Sequence, residues 1–135
     1  MSRLAKRWHG CAAPLLAAVA LLVSAAAHAQ YADLDRADWK EDAAPPPPVY
    51  STSRLIDIEM PRSATVRMGI DPETITINHD TGIVRYVVVA RGPSAVNATY
   101  EGIRCATGEY RVYARQVQGN PWTSSGENDW KSMRG

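Results

Sequence analysis

The sequence predicts a mainly β protein: a small antiparallel sheet, a meander of about five to six strands, preceded by an N-terminal signal helix and a proline-rich arm. Residues 83–91 (IVRYVVVAR) are the densest run of β-branched and aromatic side chains, which favour strands, and they predict the central strand. Residues 74–77 alternate between polar and apolar side chains, as half-buried strands do. An apolar leader with a cleavage signal predicts that the sheet belongs to an exported protein.

Residues 1–29 have the organisation of a signal peptide. Three basic residues lie near the start, residues 11–27 are apolar apart from Ser24, and Ala27-His28-Ala29 forms an A-x-A cleavage site. We expect cleavage between Ala29 and Gln30, which places the mature chain in the periplasm or outside the cell. A transmembrane anchor is the alternative, but the apolar run is shorter than the roughly 20 residues that a span needs. The mature chain is therefore expected to have no transmembrane segment.

The mature chain, residues 30–135, is close to neutral. It keeps 12 of the 15 basic residues and all 14 acidic ones. A nucleic-acid-binding domain is usually strongly basic, so we expect no nucleic-acid partner. The length suits a single domain, which we place at residues 49–135.

Residues 30–48 predict an acidic, flexible arm. Acidic side chains outnumber basic ones by five to two, and no repeated apolar stripe marks a docked helix. Pro45-Pro46-Pro47-Pro48 favours polyproline II, which makes an extended and semi-rigid spacer. The alternative is that this run is the ligand of a proline-recognition domain.

The strands predicted before the central one are short. Residues 55–58 and 65–70 predict two strands, and Asp71-Pro72-Glu73 predicts a turn, because a residue before proline avoids the helical region. Residues 74–77 predict the third strand. Residues 79–82 (HDTG) then reverse the chain, with the last glycine supplying the positive φ of the turn.

Two long strands are predicted after the central one. Residues 99–105 and 109–117 flank a turn at Gly108, and the favoured register places Cys105 opposite Tyr110. Slipping this register by one residue would move an arginine into the apolar set, so the favoured register keeps the apolar and charged side chains apart.

The sequence resembles the CNP-like family of small exported bacterial envelope proteins of unknown function. The residues that carry the resemblance are Trp39-Lys40-Glu41, Met60-Pro61-Arg62, Ile70-Asp71-Pro72, 84–89 (VRYVVV), Ala95-Val96-Asn97, 100–105 (YEGIRC) and 108–114 (GEYRVYA). The resemblance implies export and brings no known activity. It also implies a longer chain with a helical tail and a second cysteine, so the domain at 49–135 is expected to be shortened at its C-terminus.

Cys105 is the one cysteine of the mature chain, and three interpretations of it stay open. A buried, inert thiol is the first, because free cysteine is often buried. An intermolecular disulfide is the second. The third places its disulfide partner beyond Gly135 in a longer chain, and the family resemblance favours it.

No motif predicts catalysis, a cofactor or a metal. Asp80-Thr81-Gly82 matches the tripeptide of aspartic proteases, but its place between two predicted strands indicates a turn. His79 and Cys105 are too few for a zinc cluster. The sequence therefore predicts a protein that is not an enzyme.

A mixed face of arginine and tyrosine side chains is the candidate binding site. These residue types are favoured at interfaces, and paired arginine donors suit carboxylates and phosphates. The expected partner is an envelope component, namely an anionic glycan, lipid or protein. The alternative is a solvent-exposed face whose arginines form cross-strand ion pairs with Glu109. The candidate residues are Arg85, Tyr100, Arg104, Arg111, Tyr113 and Arg115.

The functional prediction is an exported bacterial envelope protein that acts as a non-catalytic interaction or structural module. A small-ligand-handling enzyme is one alternative, and it would need a deep pocket around Glu101. An adhesin-like surface domain is the other, and it rests on similarity of architecture alone.

Overall fold

The computed structural model describes residues 36–135. The predicted signal peptide, its cleavage site at Ala29 and Gln30, and the first part of the arm lie outside the described residues. Within them, no helix is long and apolar enough to cross a membrane.

The described residues form an antiparallel sheet of eight strands, which confirms the predicted mainly β fold. Several strands are only two or three residues long, which is why the sheet has more strands than the sequence predicts. The strands are β1 (Ile56–Ile58), β2 (Arg67–Ile70), β3 (Thr76–Asn78), β4 (Ile83–Arg91), β5 (Val96–Arg104), β6 (Glu109–Val117), β7 (Thr123–Ser124) and β8 (Lys131–Ser132). Their spatial order is β1-β2-β4-β5-β6-β7, with β3 also paired to β4 and β8 also paired to β6.

Strand β4 lies at the centre, as its β-branched sequence predicts. One of its edges pairs with β5 along its whole length, and the other pairs with β2 and then β3. A short 3-10 turn at Pro72–Thr74 separates those two strands. The turn stays attached to β4, because Asp71 N donates to Val87 O and Val87 N donates to the Thr74 hydroxyl. Strands β2 and β3 therefore act as one interrupted strand.

The hairpin of β5 and β6 differs from its predicted register by two residues. Tyr110 lies opposite Ile103 and not opposite Cys105. Gly108 has a φ of 67° and donates its N–H to Arg104 O, so residues 105–108 all belong to the turn. A shift of two residues keeps each side chain on its predicted face, because side chains alternate with a period of two.

A β-bulge at Tyr113 does change which residues share a face. Glu101 pairs with Val112 and Tyr100 pairs with Ala114, so Tyr113 is the extra residue. Tyr113 and Ala114 both lie on the side of Tyr100, as expected when two residues of one strand oppose one of the other. Beyond the bulge Arg115 pairs with Thr99, which places it on the opposite side from Tyr100.

One cluster of the hydrophobic core lies on one side of the sheet, which we call the covered face, and the buried side chains of Tyr86, Val88 and Val112 lie on the other side. The cluster on the covered face is formed by the buried side chains Val87, Val89, Ala98, Tyr100 and Ala114. Tyr50, Leu55, Tyr113 and Trp122 pack against them. The segment that leads from the arm into β1 therefore crosses this side of the sheet.

Candidate binding site

Five of the six candidate residues lie on the covered face. Arg85 pairs with Gly102 and Val87 pairs with Tyr100, so β4 and β5 present them on the same side. Arg115 is the exception, and it forms an ion pair with Glu127 on the other side of the sheet (3.1 Å). The five that share the face are Arg85, Tyr100, Arg104, Arg111 and Tyr113.

The described part of the acidic arm lies on this face. The Trp39 ring packs under the Arg104 guanidinium, whose central carbon is 3.9 Å from the ring centroid. Trp39 Nε1 donates to Thr81 O (2.9 Å), in the turn between β3 and β4. Trp130 meets the Trp39 ring edge-on, with the centroids 5.8 Å apart. The arm is therefore held at Trp39 by stacking as well as by a hydrogen bond.

Glu41 is the centre of the site, because three donors converge on its carboxylate. Arg111 Nη1 lies 2.7 Å from one oxygen, and Arg85 Nη2 lies 3.2 Å from the other. The Tyr113 hydroxyl donates a short hydrogen bond to the second oxygen. Asp42 accepts from Arg85 Nη2 at 2.9 Å and so provides a second carboxylate for the same guanidinium.

Burial strengthens the interactions between the charged side chains of this cluster, because they are shielded from water. The Arg85 side chain is 4% exposed and that of Glu41 is 11% exposed. Burial lowers the pKa of Arg85, but its hydrogen bonds to Asp42, Tyr113 and Glu41 outweigh this effect, so the net shift is upward and the guanidinium stays charged. The pKa of Tyr113 is raised by burial and by the Glu41 carboxylate, which keeps the hydroxyl protonated as a donor. The Arg85 hydrogen bond lowers the pKa of Asp42.

Gly102 and the bulge place the Tyr113 ring. The ring lies over Gly102, where an added Cβ would meet the Tyr113 hydroxyl oxygen at 2.6 Å. The guanidinium carbons of Arg85 and Arg111 lie 5.5 and 5.3 Å from the ring centroid, within the range of a cation–π interaction. Tyr113 therefore lies between two arginines that share one carboxylate.

A cleft of about 390 Å³ lies beside this cluster. Its volume falls in the range of ligand pockets, about 300–1,000 Å³. A smaller polar pocket of about 200 Å³ adjoins it and shares Ala44 and Tyr113 with it. The cleft is lined by Pro45, Pro46 and Pro47 on the arm, by Tyr100, Tyr113 and Ala114 on the sheet, and by Trp122, Thr123 and Ser124.

The remaining residues singled out in the sequence lie elsewhere. Cys105 is a free, exposed thiol in the turn between β5 and β6, so its interpretation as a buried thiol is wrong. Asp80 and Thr81 form a turn as predicted, with both backbone N–H groups donating to the Asn78 side chain. Glu101 lies away from the cluster and accepts from the Thr99 hydroxyl at 2.7 Å. No group of metal-ligating side chains is found among residues 36–135.

Sequence reasoning missed Trp39, Glu41, Asp42 and Gly102 as members of the site. One signal for the acidic pair was present, since an arm with excess negative charge precedes strands that are rich in arginine. That signal indicates an attraction, but it does not indicate which carboxylate meets which arginine.

Fold and site together define a small antiparallel β protein whose arginine and tyrosine face is covered by its own acidic arm. The chain belongs to the CNP1-like family, whose model matches residues 34–135. This confirms the family resemblance seen in the sequence. No curated protein and no solved structure matches the chain.

Proposed function

We propose that the protein is exported to the periplasm or beyond and acts there as a non-catalytic interaction module of the envelope. In this proposal the covered face binds an anionic group of a partner at the position that the arm carboxylates now occupy. The observation that carries it is the convergence of Arg85, Arg111 and Tyr113 on the single carboxylate of Glu41.

Two arginines and a tyrosine hydroxyl around one carboxylate are well suited to recognise an anion. Charge-assisted hydrogen bonds are about twice as strong as neutral ones, and guanidinium groups match the planar geometry of a carboxylate. The same donors suit a phosphate. Arg85 is buried beneath the arm, so an external anion reaches it only when Glu41 and Asp42 move away. The arm therefore competes with the partner for this face.

The test compares variants for retention on purified envelope fractions. Glu41→Gln with Asp42→Asn removes the two arm carboxylate charges that contact Arg85 and opens the face, so retention should rise at least several-fold over the unmodified chain. In this opened background, Arg111→Ala should reduce retention strongly, because it removes a donor. Arg115→Ala is the matched control: it removes the same charge from the opposite side of the sheet and should leave retention unchanged.

Two outcomes would count against the proposal. The first is equal retention of the opened chain and the unmodified one. The second is equal loss on replacing Arg111 or Arg115, because binding would then follow net charge and not this face.

A second candidate is binding of a small ligand, and the cleft of about 390 Å³ favours it. Three aromatic rings, from Tyr100, Tyr113 and Trp122, line it, and they suit a compact apolar ligand. A screen of small molecules for a rise in melting temperature tests it. Compounds that act on the unmodified chain but not on Trp122→Ala would support this candidate.

A further inference from the structure

We propose that the covered face is a peptide-binding groove, and that its partner is an acidic, proline-rich segment of another protein. This inference rests on the proposed function and names the partner class for the same site. The partner segment would share the chemistry of residues 39–50 of this chain, with an acidic pair followed after a short gap by a run of prolines.

The groove contacts the arm at successive positions along a segment that forms neither helix nor strand. Trp39 meets Arg104, Glu41 and Asp42 meet the buried guanidinium of Arg85, and the prolines then follow. Just after the arm, the Tyr50 hydroxyl donates to the Gln116 side chain (2.6 Å) and the Tyr50 ring meets Trp122 edge-on. A row of separate contacts along an extended chain is how peptide-recognition domains bind their ligands.

The proline run faces aromatic rings, as polyproline segments do in their recognition domains. Pro45, Pro46 and Pro47 line the cleft on the arm, and the rings of Tyr100, Tyr113 and Trp122 are among the side chains that line it on the other side. Polyproline II is preformed, so such a segment loses little conformational entropy when it binds. The aromatic half of the groove therefore selects for prolines, whereas the arginine half selects for acidic residues.

The arm does not fill the groove that it lies in. A volume of about 390 Å³ stays open between its prolines and the rings, and Ala44 is the side chain of the arm that lines both this cleft and the polar pocket. Empty space beside apolar side chains forfeits contacts that a larger occupant would make. A partner segment with a larger apolar residue at the position of Ala44 would fill more of the groove than the arm does.

The arm nevertheless has the advantage of being tethered. A short linker gives it an effective concentration of about a millimolar or more, so a free peptide competes poorly. The apparent affinity for a partner is reduced by the fraction of molecules in which the groove is open. Weakening the arm should therefore raise the affinity for a partner segment without any change to the groove.

The experiment measures binding of a fluorescein-labelled peptide, residues 37–50 (ADWKEDAAPPPPVY), by anisotropy to the full chain. The receptors are the unmodified chain, the Glu41→Gln/Asp42→Asn variant and the Trp39→Ala variant. Trp39→Ala loosens the arm but keeps both counter-charges of Arg85, so it serves if the first variant fails to fold. The matched control is Glu59→Gln/Asp80→Asn, which neutralises two exposed carboxylates outside the groove.

The loosened variants should bind the peptide at least about tenfold more tightly than the unmodified chain and the control. Replacing the three prolines 45–47 of the peptide by alanine should weaken binding about tenfold, and neutralising its acidic pair should weaken it at least as much. A peptide with leucine in place of Ala44 should bind more tightly than the original one.

The outcomes separate this inference from the proposed function. Binding that needs the acidic pair but not the prolines would overturn the peptide inference and leave an anion-binding face. The peptide inference would also be overturned, and an anion-binding face left, if no peptide bound while retention on envelope fractions still depended on Arg111. Loss of both would overturn both proposals. Size-exclusion chromatography would show whether the loosened variants form a dimer by exchanging their arms. Such a dimer would mean that the groove binds the arm of a second copy of this chain, and it would overturn the inference.

Discussion

Replacing Glu41 by glutamine tests whether the arm carboxylate stabilises the fold. The change keeps the size of the side chain and an oxygen that accepts from Tyr113, but it removes the negative charge between Arg85 and Arg111. Asp42 stays 2.9 Å from Arg85 as its remaining counter-charge.

The expected loss follows from the burial of the pair. Breaking a buried ion pair costs about 3–5 kcal/mol when the remaining charge is left uncompensated. Here Asp42 compensates part of the Arg85 charge, and the arm can move away so that water solvates Arg85. We therefore expect the free energy of unfolding to fall by about 2–3 kcal/mol. That is a large share of the roughly 5–15 kcal/mol that holds a native domain together.

Urea unfolding provides the measurement, followed both by tryptophan fluorescence and by circular dichroism of the strands. Trp39 packs between Arg104 and Trp130, so its fluorescence reports on the arm. Glu73→Gln is the control, because its carboxylate is 70% exposed and its ion pair with Arg54 should contribute under about 1 kcal/mol. If the arm detaches before the sheet unfolds, the fluorescence transition of the Glu41 variant should occur at a lower urea concentration than its circular-dichroism transition.

One result would refute this reasoning. A loss below about 1 kcal/mol, with the two signals still coincident, would mean that the Glu41 cluster behaves like an exposed ion pair. The competition between arm and partner would then lack its physical basis.

Two further predictions concern the support of the site. Asp71 is fully buried and its pKa is lowered to about 2 by the Arg54 hydrogen bonds, with further help from the N–H groups of Ser51 and Glu73. A carboxylate whose pKa is lowered in the folded state stabilises the protein at pH values above its unfolded pKa of 3.8. The free energy of unfolding should therefore fall by up to about 2 kcal/mol as the pH drops from 5 to 2. The Asp71→Asn variant should lack this part of the pH dependence. Gly102→Ala should lower the free energy of unfolding by about 1–3 kcal/mol, because its Cβ displaces Tyr113. Gly92→Ala is its control, since an added Cβ there makes only an ordinary contact at 3.5 Å, and an equal loss in both would count against a specific clash.

The central strands follow from local sequence. Residues 83–91 are dense in β-branched side chains, and they form a strand with those bounds. Gly82 and Gly108 have φ values of 69° and 67°, as turns at these positions require. These features depend on side-chain shape and backbone freedom within a few residues, so a sequence pattern is enough to predict them.

The composition of the candidate site followed from the sequence only in part. Alternation with a period of two placed Arg104 and Arg111 on one face correctly. It placed Arg115 wrongly, because the extra residue at Tyr113 reverses the alternation beyond it. No local signal marks that residue as the bulge, since its fit depends on Gly102 in the neighbouring strand.

By itself, the sequence determined a β protein with an acidic arm, an arginine-rich sheet and a family, because these depend on composition, short-range pattern and motif. Only the tertiary structure decided that the arm lies on the arginines. The contacts of Glu41 with Arg111 and Tyr113 span 70 and 72 residues of chain. Charge attraction by itself does not depend on how far apart two residues lie in the sequence, so it does not select a partner. This arrangement is selected by burial, by the bulge at Tyr113, by the space over Gly102 that the Tyr113 ring occupies, and by the path of the prolines.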